Sequence, residues 1–193
     1  MKKIIFILSL MMLLLINIKA QETSYICEGD TKTLTCTATG GSGSEVITWT
    51  DPSGNTTTGA TTTADEAGTY TWEITDGGCT ASGTHIVNIE ADPTAGIIIN
   101  ATDVCINTVQ TISASGVPAG YSYSWNFGTD ASPPTSTLAS DDVEYSSAGS
   151  KTITLTIEKS FTGSTNGCNA TCSWTVTKTI TVTDLQGSSS CGI

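Results

Sequence analysis

Seven cysteines carry the most reactive chemistry in this sequence, because thiols form disulfides, bind metals and act as nucleophiles. In a chain that leaves the cytoplasm, such a number first indicates disulfides. The odd count leaves at least one thiol free or bonded to another chain. A zinc site is disfavoured, since the sequence holds no CxxC pair and no histidine cluster. The seven are Cys27, Cys36, Cys79, Cys105, Cys168, Cys172 and Cys191.

The single histidine, His85, argues against an enzyme. It falls in residues 84–89, a segment that we predict to be a strand. A lone histidine on a strand is usually structural or exposed. Serine and threonine are plentiful, but no GxSxG segment occurs and no base is placed by sequence to activate a hydroxyl. We therefore predict a protein without catalytic residues, bound cofactor or metal ligands.

Acidic side chains near predicted turns make calcium the one metal that stays open. Calcium takes several oxygen ligands, and the edges of β-sandwiches often supply them. No EF-hand spacing and no tandem Gly-Asp repeat occurs, so solvated acids that keep the protein soluble are the simpler interpretation. The acids concerned are Asp30, Asp51, Asp65, Asp141, Asp142 and Glu144.

Aromatic residues alternate with polar ones over residues 121–127, so they fall on one face of a predicted strand. Such a row either stacks on sugar rings or forms the core face of a sandwich. We favour the core for Trp125 and Phe127, and we expect Tyr121, at the start of the strand, to be the most exposed.

The charge balance disfavours two classes of partner. The chain has 18 acidic residues, seven lysines and no arginine. Phosphate backbones are bound by Lys and Arg, so nucleic acid is not expected as a partner, and an anionic membrane surface is disfavoured. Charged residues make up 13% of the chain and Thr, Ser and Gly replace them. This composition is typical of β-rich extracellular domains rather than of disordered acidic chains.

The first residues resemble a secretory signal peptide. A basic start is followed by an almost entirely apolar stretch over residues 4–16, and Ala20 is a small residue before the expected cut. The apolar stretch is shorter than the roughly 20 residues that a spanning helix needs. We therefore predict a signal peptide over residues 1–20 and an exported chain that begins at Gln21. That chain carries 18 acids against four lysines, a net charge of −14, and is not expected to insert into a membrane.

Alternation of Thr with apolar residues dominates the rest of the chain. Residues 32–38, 70–74, 152–157 and 174–182 show it most clearly, and β-branched residues at period 2 predict half-buried strands. Clusters of Gly, Ser, Asn and Pro separate these segments, as turns do in a sandwich. No stretch after the signal segment shows a sustained helical period, so the sequence predicts an all-β fold.

A loose internal repeat divides the exported part in two, because the same markers recur with longer spacings in a second copy. Residues 90–94 separate the copies as a short linker that contains Pro93. The sequence therefore predicts one sandwich over residues 21–91, a second over residues 92–184, and a flexible tail over residues 185–193. The markers are Cys27, Trp49, Gly68 and Cys79, then Cys105, Trp125, Gly149 and Cys168.

The first copy resembles an immunoglobulin-like domain. Trp49 follows Cys36 by 13 residues, and residues 65–71 are similar to the tyrosine corner of that family, with Tyr70 as the corner residue. Trp72 stands where the family places its second cysteine, so the usual bridge between the sheets cannot form. The resemblance implies a core that holds these two tryptophans, Tyr70 and a free Cys36 thiol.

The second copy resembles a PKD domain, a sandwich named after the polycystic kidney disease protein. Residues 121–128 match its W-D-F-G-like segment, and residues 143–155 match its Y-x-x-x-G strand. Asn126 replaces the usual aspartate. The resemblance covers most of residues 93–183 and implies a second immunoglobulin-like sandwich with Trp125 and Phe127 in its core.

With these resemblances in place, we expect one disulfide in each copy. Cys27 is expected to bridge to Cys79, which would tie the first strand to the last hairpin. Cys105 is expected to bridge to Cys168, with Cys172 as the rival partner.

Modules of these two kinds occur together in secreted and cell-surface proteins of Gram-negative bacteria. The resemblance therefore implies a secreted or surface-displayed interaction, adhesion or spacer protein. Two alternatives stay open: a carbohydrate-binding accessory module of a polysaccharide-degrading system, and the N-terminal piece of a longer adhesin or enzyme. The partner, a protein or a glycan, is not identified by the sequence.

Overall fold

A computed structural model describes residues 22–38, 42–101, 104–162 and 169–184. Every regular element in these ranges is a β-strand, so the predicted all-β fold class is confirmed. The strands fall into two compact units, the first running to Ile89 and the second beginning at Glu90. The described part contains no helix with the length and apolarity to cross a bilayer. The expected signal peptide (1–20) and the expected tail (185–193) lie outside the described residues, as does Gln21.

The first unit is an immunoglobulin-like sandwich. Five strands form one sheet in the order β1-β7-β6-β3-β4, and β2 pairs with β5 in the other. This arrangement places the C, F and G strands of the family (β3, β6, β7) opposite its B and E strands (β2, β5). The strands are β1 (Glu22–Cys27), β2 (Lys32–Thr35), β3 (Val46–Thr50), β4 (Thr56–Thr58), β5 (Thr61–Ala64), β6 (Gly68–Asp76) and β7 (Cys79–Glu90).

The core of the first unit forms where the apolar positions of these alternating strands face inward. Trp49 and Tyr70 are 2% and 1% exposed, and Cys36 belongs to the same buried cluster. The Tyr70 hydroxyl accepts the backbone N–H groups of Asp65 at 3.3 Å and Glu66 at 3.2 Å. These two hydrogen bonds are the contact by which a tyrosine corner fixes its loop.

Trp72 packs against this core from β6, opposite Gly83 on β7. A Cβ atom on Gly83 would lie 2.6 Å from Cε2 of the indole and closer still to Cζ2. Gly83 therefore leaves the space that the indole occupies. In this unit the bulk of a tryptophan fills the place of the missing second cysteine.

The second unit is a sandwich of the same kind with more strands. Its sheets have the orders β12-β14-β10-β8 and β13-β11-β15-β16-β9, the latter containing the C, F and G strands (β11, β15, β16). The strands are β8 (Gly96–Ile99), β9 (Val104–Cys105), β10 (Val109–Ser115), β11 (Ser122–Asn126), β12 (Ala131–Ser132), β13 (Thr135–Ser136), β14 (Ser140–Tyr145), β15 (Gly149–Thr162) and β16 (Asn169–Thr183).

Two stacked rings lie at the centre of the second core. Trp125 and Phe127 are 1% and 0% exposed, with ring centroids 5.4 Å apart and planes inclined by 18°. The Trp125 indole N–H donates to the Leu138 carbonyl at 2.8 Å, and the Tyr145 hydroxyl donates to the Phe127 carbonyl at 2.9 Å. The buried polar atoms of these large side chains are thus satisfied by the backbone.

Candidate interaction surface

The first unit presents a sheet face composed almost wholly of hydroxyl side chains, which we call the first hydroxyl face. Because side chains alternate along a strand, burying Trp49 and Tyr70 turns the threonines between and beside them outward. The register then aligns them into rows across β4, β3, β6 and β7. One row is Thr56, Thr50, Thr71 and Thr84, and the next is Thr58, Thr48, Glu73 and Ser82.

The second unit repeats this construction on β11, β15 and β16, forming the second hydroxyl face. Burial of Ile153, Leu155 and Ile157 directs the residues between them outward. The hydroxyls of Thr156 and Thr175 lie 3.1 Å apart across the β15–β16 pair. The rows are Ser124, Thr156 and Thr175, then Asn126, Thr154 and Thr177, then Ser122, Glu158 and Ser173.

These faces have a narrow chemical range. A threonine hydroxyl donates and accepts hydrogen bonds, its methyl group packs, and neither titrates near neutral pH. Glu73 and Glu158 are the charged members of the rows named above. Such a surface offers hydrogen-bond donors and acceptors to water or to a partner.

His85 is engaged in a structural contact between β1 and β7. Its Nε2 lies 2.8 Å from the Ser24 hydroxyl and its Nδ1 lies 3.4 Å from the Glu22 carboxylate. Burial lowers the pKa of His85; the Glu22 carboxylate opposes this effect and Lys32 adds to it. A mainly neutral imidazole held by two neighbours on β1 suits a role in attaching that strand.

Two of the acids that made calcium worth considering accept hydrogen bonds within the fold. Asp51 accepts the backbone N–H of Asn55 at 2.7 Å and its side-chain amide at 2.9 Å, and these bonds lower the pKa of Asp51. Asp142 accepts the Thr111 hydroxyl at 2.7 Å. Within the described ranges, no three His, Cys, Asp or Glu side chains are grouped so that they could hold a metal ion.

Lys151 is a structural residue that sequence reasoning overlooked. Its side chain is 4% exposed, and its ammonium group lies 3.0 Å from the Asp130 carboxylate and 2.9 Å from the Ser147 hydroxyl. The Ser147 hydroxyl and Lys151 both lower the pKa of Asp130. The sequence did indicate the burial of Lys151, because it precedes the inward-facing Ile153 by two residues on the same strand and so faces the same side.

Tyr121 also differs from the expectation, since it is only 9% exposed while Tyr123 on the same strand is half-buried. The Tyr121 hydroxyl donates to Glu90 at 2.6 Å, and Lys159 bonds the same carboxylate oxygen at 2.6 Å. Trp174 covers the ring at a centroid distance of 5.9 Å. Burial, together with the neighbouring Glu90 carboxylate, raises the pKa of Tyr121 to about 12.

The expected Cys27–Cys79 disulfide is wrong. Cys79 is an exposed free thiol at the β6–β7 turn, where it pairs with Asp76, whereas Cys27 belongs to another disulfide. The turn is tight, with Gly77 and Gly78 both at positive φ, and it directs the thiol to solvent rather than to β1.

The other cysteines divide into a free thiol and bonded ones. Cys36 is a buried free thiol, and burial raises its pKa. Cys105 and Cys172 each belong to a disulfide. The expected partner of Cys105, Cys168, lies outside the described residues, as does Cys191.

No protein-family model matches the chain, and no curated protein matches it. Among solved structures it is similar to an I-band fragment of titin, at 17% identity and a TM-score of 0.42 over 85% of this chain and 64% of that one. It is also similar to murine CEACAM1b, at 13% identity and a TM-score of 0.39 over 85% of this chain and 98% of that one. The chain thus spans less than two thirds of the titin fragment. Likenesses at this level carry nothing about a ligand or an activity.

Proposed function

We propose that this chain is an exported, non-catalytic protein whose two sandwiches serve as a spacer and interaction module outside a Gram-negative bacterial cell or on its surface. The observation that carries the proposal is the pair of hydroxyl faces. In each unit the large aromatic and aliphatic side chains form the core, and Thr and Ser side chains face outward on one sheet. A module that only has to stay folded and soluble between other parts of an assembly needs no more than this.

The state of the reactive groups supports the non-catalytic part of the proposal. His85 is held between Ser24 and Glu22, and Lys151 is buried against Asp130. The buried Cys36 thiol has a raised pKa, which lowers its thiolate fraction and so its reactivity. Ser24, His85 and Glu22 are connected in the order of a Ser-His-acid triad, but Ser24 is 3% exposed, so its hydroxyl is not accessible to a substrate.

The carbohydrate-binding alternative loses its main support. It required exposed, coplanar aromatics, and Trp125 and Phe127 are 1% and 0% exposed. The Tyr121 hydroxyl is hydrogen-bonded to Glu90, and its ring packs against Trp174.

The PKD-like character of the second unit is part of the proposal, as are the boundaries 21–91 and 92–184. Gly128, which closes the Trp-Asn-Phe-Gly segment, has φ of 89°, and a Cβ there would lie 2.8 Å from the Thr152 carbonyl. The glycine of this signature therefore has a steric reason in this chain. The Asn126 side chain accepts the Gly128 N–H at 2.9 Å, a role that the family's aspartate would also perform.

Export is tested by expressing residues 1–193 in a Gram-negative host and measuring intact mass and N-terminus in each cell fraction. We expect a product that begins at Gln21 outside the cytoplasm. A matched Leu13→Arg/Leu14→Arg variant, which breaks the apolar stretch, should stay uncleaved in the cytoplasm. A wild-type chain that also stays there uncleaved would contradict the proposal.

Binding is tested with the purified exported chain on a glycan array and on a panel of hydrolase substrates. We expect no turnover of any substrate. If a glycan binds, we expect a Trp125→Phe variant that keeps the fold to bind it as well as the wild type does. Turnover of a substrate, or a glycan signal carried by Trp125, would refute the proposal.

A further inference from the structure

Strand β16 leaves one of its edges almost entirely open in the described part of the chain. On one side it pairs with β15 along its length, from the pair of Thr162 with Asn169 to the pair of Gly149 with Val182. On the other side, within the described residues, Val182 and Thr183 pair in parallel with β9. The backbone N–H and C=O groups of alternate residues along 173–181 therefore point to an edge at which a further strand can add.

The same strand lies in a cationic stretch of a strongly acidic protein. Between Glu158 and Asp184 the sequence contains no acidic residue and two lysines, Lys159 and Lys178, although the whole chain has a net charge of −11. Two such chains repel each other over most of their surfaces, and this repulsion is weakest along β16.

The side chains along this edge favour strand addition. Residues 173–181 alternate Thr or Ser with Trp, Val and Ile, apart from Lys178, and contain no proline. Natural edges are commonly protected by charged side chains, proline or a bulge. Here Lys178 is the single charge, and its ammonium group is engaged with the Ile97 carbonyl at 3.1 Å.

We propose that a second copy of this chain pairs with this edge, β16 against β16 in antiparallel orientation, to form a two-fold symmetric dimer. A two-fold axis at Val176 places Thr175 of one copy opposite Thr177 of the other on the hydroxyl face. On the opposite face it places Trp174 across from Lys178 of the second copy, a pair suited to a cation–π contact. The register is therefore self-complementary, as an isologous interface must be.

A second copy fits the edge better than an unrelated acidic strand does. An acidic strand would find Lys178 as its one cationic partner between residues 173 and 181. In the symmetric pairing each lysine gains an aromatic partner, and Thr–Thr pairs across strands are favourable. The proposal does not depend on the spacer function or on the place of export.

The test is sedimentation velocity of residues 21–193 over a concentration series at about 0.15 M salt. We expect the weight-average mass to rise to about twice the monomer mass. Thr175→Lys/Thr177→Lys puts like charges opposite each other and should stay at monomer mass throughout the series. Thr175→Glu/Thr177→Lys puts opposite charges there and should dimerise like the wild type.

The matched control is Thr69→Lys/Thr71→Lys, which adds the same charge to exposed positions of the first unit and should still dimerise. A wild-type chain that stays monomeric overturns the proposal and leaves the edge to an unrelated strand. Dimerisation of the Thr175→Lys/Thr177→Lys variant equal to that of the control places the interface elsewhere, which also overturns it.

A second measurement tests the register. In a Cys79→Ser background, Val176→Cys brings two thiols face to face across the axis, at a Cα separation of roughly 4.5–5.5 Å that permits a disulfide. Mild oxidation should give a covalent dimer on a non-reducing gel. Thr177→Cys, which faces Thr175, should give much less; equal yields would refute the axis at Val176.

Discussion

Replacing Gly83 with alanine should destabilise the first unit, although alanine suits a strand better than glycine does. The new Cβ would lie 2.6 Å from Cε2 of Trp72, and the indole is a rigid ring packed against the core. Overpacking of this kind costs about 1–3 kcal/mol. The backbone of Gly83 is not in the left-handed region, so alanine should return about 0.5–1 kcal/mol through reduced chain entropy.

The net expectation for Gly83→Ala is a loss of about 1–2 kcal/mol in the free energy of unfolding of the first unit. Urea unfolding followed by tryptophan fluorescence and circular dichroism measures it as a lower midpoint at an unchanged slope. Ser82→Ala, on the exposed side of the same strand, is the control and should change stability by less than about 0.5 kcal/mol.

A double variant separates the clash from a general weakness of β7. Trp72→Leu removes the ring atoms that the new methyl group meets, so Gly83→Ala should cost little in that background. The reasoning about Trp72 is refuted if Gly83→Ala is neutral or stabilising in the wild type. It is also refuted if the loss is the same with leucine at position 72.

Three other predictions follow from single contacts. Tyr145→Phe leaves the buried Phe127 carbonyl without its donor and should lower the stability of the second unit by about 1–3 kcal/mol in urea unfolding. Because the pKa of folded His85 lies below its usual 6.5, the unfolded state takes up a proton first as the pH falls. Stability should therefore decline once the pH drops through about 6.5, and a His85→Gln variant should show a smaller decline in the same titration. In native protein, maleimide should label Cys79 at once and Cys36 only after denaturation, as read by mass spectrometry; equal labelling of both would contradict the burial of Cys36.

The period-2 pattern predicted the strands because each core requires one apolar face per strand. The burial of Ile153, Leu155 and Ile157 follows directly from it. The hydroxyl faces are the other half of the same pattern and were visible in the sequence as runs of threonine. What the pattern does not contain is the register, which decides that Thr50 lies beside Thr56 and Thr71.

The disulfide prediction was wrong because spacing along a chain does not fix distance in space. Cys79 looked like a closing residue, but the glycine turn before it directs the thiol to solvent. Lys151 was overlooked for a related reason. A lysine is expected at the surface unless it is paired, and its partner Asp130 is 21 residues away in sequence.

The buried ammonium group of Lys151 also restricts the order in which this part of the protein can change during evolution. If position 151 first becomes an apolar residue of similar length, the half-exposed Asp130 is left to the solvent and the sandwich keeps its packing. If Asp130 is lost first, a buried positive charge is left with the Ser147 hydroxyl alone. Loss of Lys151 before Asp130 therefore keeps the protein folded at each step, whereas loss of Asp130 before Lys151 passes through a destabilised protein. Related sequences should show an apolar residue at position 151 with or without the acid, but rarely a lysine without it.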